Sequence, residues 1–407
     1  MKKLFLLVCA SLFILTGCHN DDSPNIIPVE RKDIPLTTRS KELNEVVSEF
    51  TFDFFKQHNI KETQKPNFMV SPFSLSTVMA MVANGAEENT LDEIMKVLGF
   101  GGSSVNELNE YYQTFMKSLP QLDNTVDLSI ANSIWTANTL NVKKNFVEVN
   151  KTNYDSEVSP VDFAVGSTIK IINDCISKKT NGCISDFIKS IDNRTRMMLI
   201  NTLYFKGSWA SKFKKSDTAK KEFINQDGSK KKIDMMHQNG TFAYADNGTF
   251  EMLKLPYGNA AFCMKVLLPK EGLSVDDAIN DLNKEMLAAL DSRSHSTETD
   301  VELPKFKMEY ESDLKEDMET MGMKQVFSSD ANFSGVADDP IFINQIKQGI
   351  YLNVDEAGTE AAAVTQVGML GAMIGENGVF HVNRPFVFLI QEQSTGAILF
   401  IGKVTSL

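Results

Sequence analysis

The chain has 407 residues, 42% of them hydrophobic, and a formal net charge of −12 at pH 7. It is too long for a small stapled scaffold and shows no repeat or internal linker. The acidic balance argues against nucleic acid or an anionic surface as a partner.

The first residues read as an address. Lys2-Lys3 precedes an apolar run from Leu4 to Ile14. At about 11 to 13 residues it is too short to cross a bilayer as a helix. It closes on Leu15-Thr16-Gly17-Cys18, which resembles the bacterial lipobox. Residues 1–17 are therefore expected to be a lipoprotein signal peptide. Cys18 is expected to be lipidated and to anchor the chain at the outer membrane, on the cell surface or the periplasmic face. Asp21-Asp22 loosely resembles a surface-export signal. Residues 18–40 contain Pro28 and Pro35 with little apolar periodicity, and read as a flexible tether.

From residue 41 to 407 a single domain is expected. Leu43, Val46, Val47, Phe50 and Phe54 lie on one helical face. Ser71 is a natural N-cap with Pro72 at the first helical position, and Gly85 ends that helix. Thr90-Leu-Asp-Glu93 reads as a capping box for the next helix. Gly101-Gly102-Ser103-Ser104 reads as a helix break and cap, not a phosphate cradle. Phe262 to Leu268 and Phe386 to Ile401 are dense in β-branched and aromatic residues, so they predict strands. Helices first and strands later make the class α+β.

Lys212, Lys214, Lys215, Lys220, Lys221 and Lys230 to Lys232 form a local basic exception. They read as a solvated hairpin, with a polyanion site as the alternative. Cys175, Cys183 and Cys263 are an odd set whose spacing fits no zinc pattern, and read as small buried apolar residues. His58, His237, His295 and His381 are scattered without metal-like spacing, and no metal or cofactor is expected. No H-E-x-x-H, G-x-S-x-G or G-x-x-x-x-G-K-[ST] motif occurs, which argues against an enzyme.

Residues Asp355 to Thr365 read D-E-A-G-T-E-A-A-A-V-T after the strand-like Ile350 to Val354. Thr359, Ala361, Ala363 and Thr365 alternate with Glu360, Ala362 and Val364. Alternate side chains of a strand face opposite ways, so one face here is small and uncharged. Such a segment suits both an exposed loop and a buried central strand.

These residues resemble the reactive-loop hinge of the serpins. Other motifs agree in order along the chain. They are Asn67 to Ser76, Gly85-Ala86-Glu-Glu-Asn-Thr90, Asn201-Thr-Leu-Tyr204-Phe205-Lys206-Gly207-Ser-Trp209, Met252 to Tyr257, Leu267-Leu-Pro269, Asn383 to Phe388 and Phe400 to Val404. The resemblance implies three β-sheets surrounded by about nine helices, with an exposed reactive-centre loop over about 356–382. It implies inhibition of serine-type endopeptidases by a covalent acyl-enzyme complex, trapped as the loop inserts into the central sheet. The hinge would be Glu356, Gly358, Thr359, Glu360, Ala361, Ala362, Ala363, Val364 and Thr365. Counting from Glu356 places the scissile bond at Ala372-Met373, with Met373-Ile374 as the alternative. Leu370 to Ile374 is apolar, which suits elastase-like or subtilisin-like targets. Ser71, Ser74 and Asn201 match polar positions that control sheet opening, and Gln348 stands where the family usually has a histidine. A monomer is expected, and a non-inhibitory binding protein on the same scaffold is the alternative.

Overall fold

The computed structural model describes residues 28–63, 65–359 and 378–407. Nine α-helices occur among them. The first five are α1 (Thr38–Lys61), α2 (Pro72–Ala83), α3 (Glu88–Val97), α4 (Val105–Ser118) and α5 (Lys144–Tyr154). The others are α6 (Ser167–Lys179), α7 (Val275–Asp281), α8 (Lys284–Arg293) and α9 (Lys315–Met321). The strands begin with β1 (Asn67–Val70), β2 (Val126–Ala137), β3 (Glu157–Val161), β4 (Met197–Ser208) and β5 (Ala219–Ile224). Then come β6 (Lys230–Asp246), β7 (Phe250–Pro256), β8 (Phe262–Pro269), β9 (His295–Pro304) and β10 (Phe306–Asp313). The last are β11 (Gln345–Asp355), β12 (Gly358–Thr359), β13 (Gly378–His381), β14 (Phe386–Glu392) and β15 (Ile398–Val404).

Six strands form one sheet in the order β10-β11-β12-β4-β2-β3. The other nine form a continuous path, β1-β15-β14-β8-β7-β6-β9-β13, with β5 also on β6. The 17-residue β6 is shared by two smaller sheets: it pairs with β5 and β9 along its length and with β7 at its end. Three sheets and nine helices are thus present among the described residues, as the resemblance implies, and the class is α+β as expected.

Every residue of α2 is buried. A helix that is apolar all round belongs in a core, and α2 lies between β4 of the six-stranded sheet and β15 of the other. Ser71 caps it as expected, accepting from the Ser74 N–H, with Pro72 at the first helical position. β8, β14 and β15 are buried along their whole lengths, which is why they read as continuous apolar runs.

Two local expectations need correction. α3 starts at Glu88, not at Thr90, and its Glu87 cap makes no side-chain bond. Thr90 Oγ1 instead accepts from the Asn332 N–H (2.8 Å), and Glu93 Oε2 from the Gln325 N–H (2.7 Å). Both side chains of the supposed capping box therefore serve tertiary contacts. The capping box that forms is Ser104 with Glu107 on α4. The tether over 18–40 also ends too late, because Thr37 caps α1 and residues 38–40 are its first turn. Ahead of the helix Ile34 is only 5% exposed and donates its N–H to Ser394 Oγ (2.9 Å). Val29 is held between Asn124 and Asn259. Burial of Ile34 fixes a stretch whose composition alone looks unstructured.

Candidate functional site

The central feature is a gap between two neighbouring strands. β11 and β4 run parallel and pair directly from Gln345↔Met198 to Tyr351↔Tyr204. Beyond that point they separate, and β12 lies between them. Gly358 and Thr359 pair antiparallel with Asp355 and Val354 on one side and with Ser208 and Gly207 on the other. The chain leaves β11, turns through Glu356-Ala357, and re-enters the sheet beside the strand it has just left.

The turn is fixed at each residue. Ala357 donates its N–H to Asp355 Oδ1 (2.8 Å), and Trp209 Nε1 donates to the Asp355 carbonyl (2.9 Å). The backbone N–H groups of Phe213 and Trp209 donate to the carbonyls of Glu356 (3.0 Å) and Ala357 (3.1 Å). Gly358 has φ +150°, and a Cβ there would lie 2.0 Å from the Gly207 carbonyl oxygen. Only glycine fits that close approach.

Glu356 is buried, and its carboxylate pairs with Lys305 (2.8 Å) and accepts from Thr218 Oγ1 (2.8 Å). Burial pushes its pKa up, but the bonds to Lys305 and Thr218 outweigh that and hold it below the usual carboxylate value. Thr359 is fully buried, and its hydroxyl lies 2.8 Å from Tyr257 Oη. Tyr257 in turn stacks on Trp209 at 4.5 Å between ring centroids. The face on which Thr359 lies is therefore a packed aromatic interior with one hydroxyl partner.

Below the gap, where β11 and β4 pair directly, a polar row crosses the sheet. Gln348, Asn201 and Asn132 are in register on β11, β4 and β2. All three are buried, as are Ser71 and Ser74 at the start of α2. Gln348 Nε2 donates to Asn201 Oδ1 (2.6 Å) and to the Ser71 carbonyl (3.0 Å), while its Oε1 accepts from the Ser71 N–H (2.9 Å). Asn201 Nδ2 donates to Ser74 Oγ and Asn132 Oδ1. The structure thus brings together Ser71, Ser74, Asn201 and Gln348. Asn132 was not picked out from the sequence, although an amide inside the apolar run Leu128 to Trp135 was a usable signal. Its Nδ2 has no hydrogen-bond partner among the described residues.

The described residues resume at β13, which lies parallel to β9. His381 on β13 and His237 on β6 both reach Asp300, at 3.3 and 2.6 Å, and Lys221 pairs with Glu302. Burial raises the Asp300 pKa, but the bonds from His237 and His381 outweigh it and lower it. His58 is buried instead against Asp317 (3.2 Å) and Tyr310 Oη (2.8 Å) between α1, α9 and β10. Cys175, Cys183 and Cys263 form no disulfide among the described residues; only Cys263 is buried, Cys175 and Cys183 being half-buried, and burial pushes the Cys263 thiol up to about 12. Glu360, Ala361, Ala362, Ala363, Val364, Thr365, Ala372, Met373, Ile374 and Cys18 lie outside the described residues.

The family profile described as Serpin (serine protease inhibitor) matches residues 45–407. The chain belongs to the serpin family. It is 31% identical over 377 residues to the leukocyte elastase inhibitor of Xenopus laevis, covering 89% of this chain and 99% of that one. The native state of the thermophilic serpin tengpin matches with a TM-score of 0.83 at 31% identity, over 93% of this chain and 96% of that one. Human thyroxine-binding globulin, solved in complex with thyroxine, also gives 0.83, at 27% identity over 91% of this chain and 99% of that one. Serpins are inhibitors or binding proteins, so the chain is not an enzyme.

Proposed function

We propose that this serpin inhibits serine-type endopeptidases as a suicide substrate, with elastase-like or subtilisin-like enzymes as targets. The observation that carries the reading is β12, already seated between β11 and β4 with its small face inward. The protease serine attacks the carbonyl at the scissile bond, the new N-terminus leaves, and an ester to the loop remains. The freed strand then extends β12 between β11 and β4, parting their direct pairing. Thr359, Ala361, Ala363 and Thr365 share one face at a period of two, and none is charged or bulky. A strand from Gly358 to Ala372 spans about 50 Å at ~3.4 Å per residue. Carried that distance, the protease is distorted and loses oxyanion-hole donors, each contributing about 3 kcal/mol to deacylation. Insertion also breaks the Gln348–Asn201 bond, so the polar row sets how readily the sheet opens.

Leu370 to Ile374 offers apolar bait to a small or medium pocket. Residues 1–17 act as a signal peptide and Cys18 as a lipid anchor, which places the monomer at the bacterial outer membrane within reach of external or periplasmic proteases. The likeness to thyroxine-binding globulin favours one other reading, a non-inhibitory binding protein. Mixing the protein with subtilisin and with pancreatic elastase decides between them. A heat- and SDS-stable complex supports inhibition, and simple cleavage with no complex supports the alternative.

A further inference from the structure

The two roots of the loop are joined by the small sheet β5-β6-β9-β13. Thr218, one residue ahead of β5, bonds Glu356, and Lys305, just past β9, pairs with the same carboxylate. At the opposite edge of that sheet lies β13, the second root. The Ile224 N–H at the end of β5 donates to the carbonyl of Asn383, two residues beyond β13 (2.9 Å).

Charge on this sheet is unlike that of the rest of the chain. Residues 212–234 carry eight lysines against four carboxylates, in a protein of net charge −12. Three of the lysines are paired: Lys220 with Asp234 (3.1 Å), Lys230 with Glu222 (2.8 Å) and Lys221 with Glu302. These pairs account for a solvated hairpin. Lys214, Lys215, Lys231 and Lys232 are exposed and make no ion pair among the described residues. Lys231 and Lys232 lie on β6, with Lys232 opposite Glu222 of β5, while Lys214 and Lys215 lie in the turn ahead of β5.

We propose that this basic hairpin, with the lysine-bearing turn ahead of it, is a docking surface for an acidic patch on the target protease, beside the active-site cleft. The proposal rests on the inhibitory reading. A protease cutting between Thr359 and Gly378 stands over the sheet that joins those residues, and its rim meets the four unpaired lysines. Screening limits the reach of exposed charges to about 10 Å at 0.1 M salt. The lysines in the footprint then count for more than acidic groups elsewhere, which would otherwise repel an acidic enzyme. Steering of this kind raises association rates by about 10- to 1,000-fold. A linear polyanion is the other outcome that the test separates.

The test uses Lys214→Glu/Lys215→Glu and Lys231→Glu/Lys232→Glu, all exposed and outside the hinge and the polar row. Subtilisin and pancreatic elastase serve as probes, native and after succinylation of their surface lysines. The wild type is expected to trap the succinylated forms about tenfold faster than the native ones at low salt. That advantage should disappear in about 0.5 M salt and in both double variants, with no change in the number of inhibitor molecules consumed per protease. Variants that trap both forms at wild-type rates, with the wild-type salt dependence, overturn the proposal. Lysine-dependent binding of heparin with unchanged trapping rates also overturns it, and assigns the patch to a polyanion. No covalent complex with any wild-type sample is a different failure, of the inhibitory reading itself, and the proposal falls with it.

Discussion

Gln348 donates its side-chain amide to Asn201 Oδ1 across 2.6 Å, directly joining the two strands between which β12 sits. The same amide group also grips the backbone of Ser71 through two further bonds. A strand extending β12 must separate Tyr351, Ile350 and Gly349 from Tyr204, Leu203 and Thr202 and then break this bridge. Gln348→Ala leaves the Ser71 N–H and Asn201 Oδ1 without a partner, and a buried unsatisfied group costs about 1–3 kcal/mol. The intact variant should melt lower than wild type in calorimetry. The loop-nicked variant should lose less, because the inserted strand already separates the pair.

Thr359→Arg should turn the inhibitor into a substrate. Thr359 is fully buried against Tyr257, and a guanidinium placed there without a counter-charge costs several kcal/mol. Loop cleavage should proceed at the normal rate while SDS-stable complexes vanish from the gel. Complexes at full yield would remove the reason for a small residue at this position.

Glu356 should make the hinge acid-sensitive. Its folded pKa is lowered, so its pair with Lys305 stabilises the fold above the ordinary carboxylate pKa of about 4.3. That contribution is lost as pH falls through the lowered folded value. Glu356→Gln should therefore melt below wild type at pH 7, and the two curves should converge in acid. A gap that persists at the lowest pH would place the effect elsewhere.

Local patterns survived the step from sequence to structure where local bonds decide them. Ser71-Pro72 caps α2, and Ser103-Ser104 leads into α4, because caps are settled within one turn of the chain. Thr90 and Glu93 have the right spacing for a cap, yet Asn332 and Gln325, more than 200 residues away, take their oxygens. Asn132 escaped notice because its role exists only once β2 lies in register with β4 and β11. The hinge was legible in composition, since a segment that must enter a sheet needs small residues. The bonds of Glu356 to Thr218 and Lys305 were not, because nothing in the sequence ties those positions together.

Ala372→Arg should redirect specificity. A buried carboxylate in a trypsin-like pocket rewards a guanidinium, whereas a small apolar pocket would have to desolvate it unpaired. Trapping of trypsin should appear and that of elastase should weaken. Mass spectrometry of the released C-terminal peptide should give Met373 as its N-terminus. A peptide beginning at Ile374 moves the bait to Met373.

Entry of the freed loop between β11 and β4 is tested most directly by melting the intact protein beside the same protein nicked near Ala372. Insertion adds a fully paired central strand, so the nicked form is expected to melt well above the intact one. Each kcal/mol shifts a domain of this size by less than the about 2–4 °C of a 150–250-residue domain, but a new central strand contributes many. Superimposable melting curves for the two forms would contradict insertion, and with it the trapping mechanism.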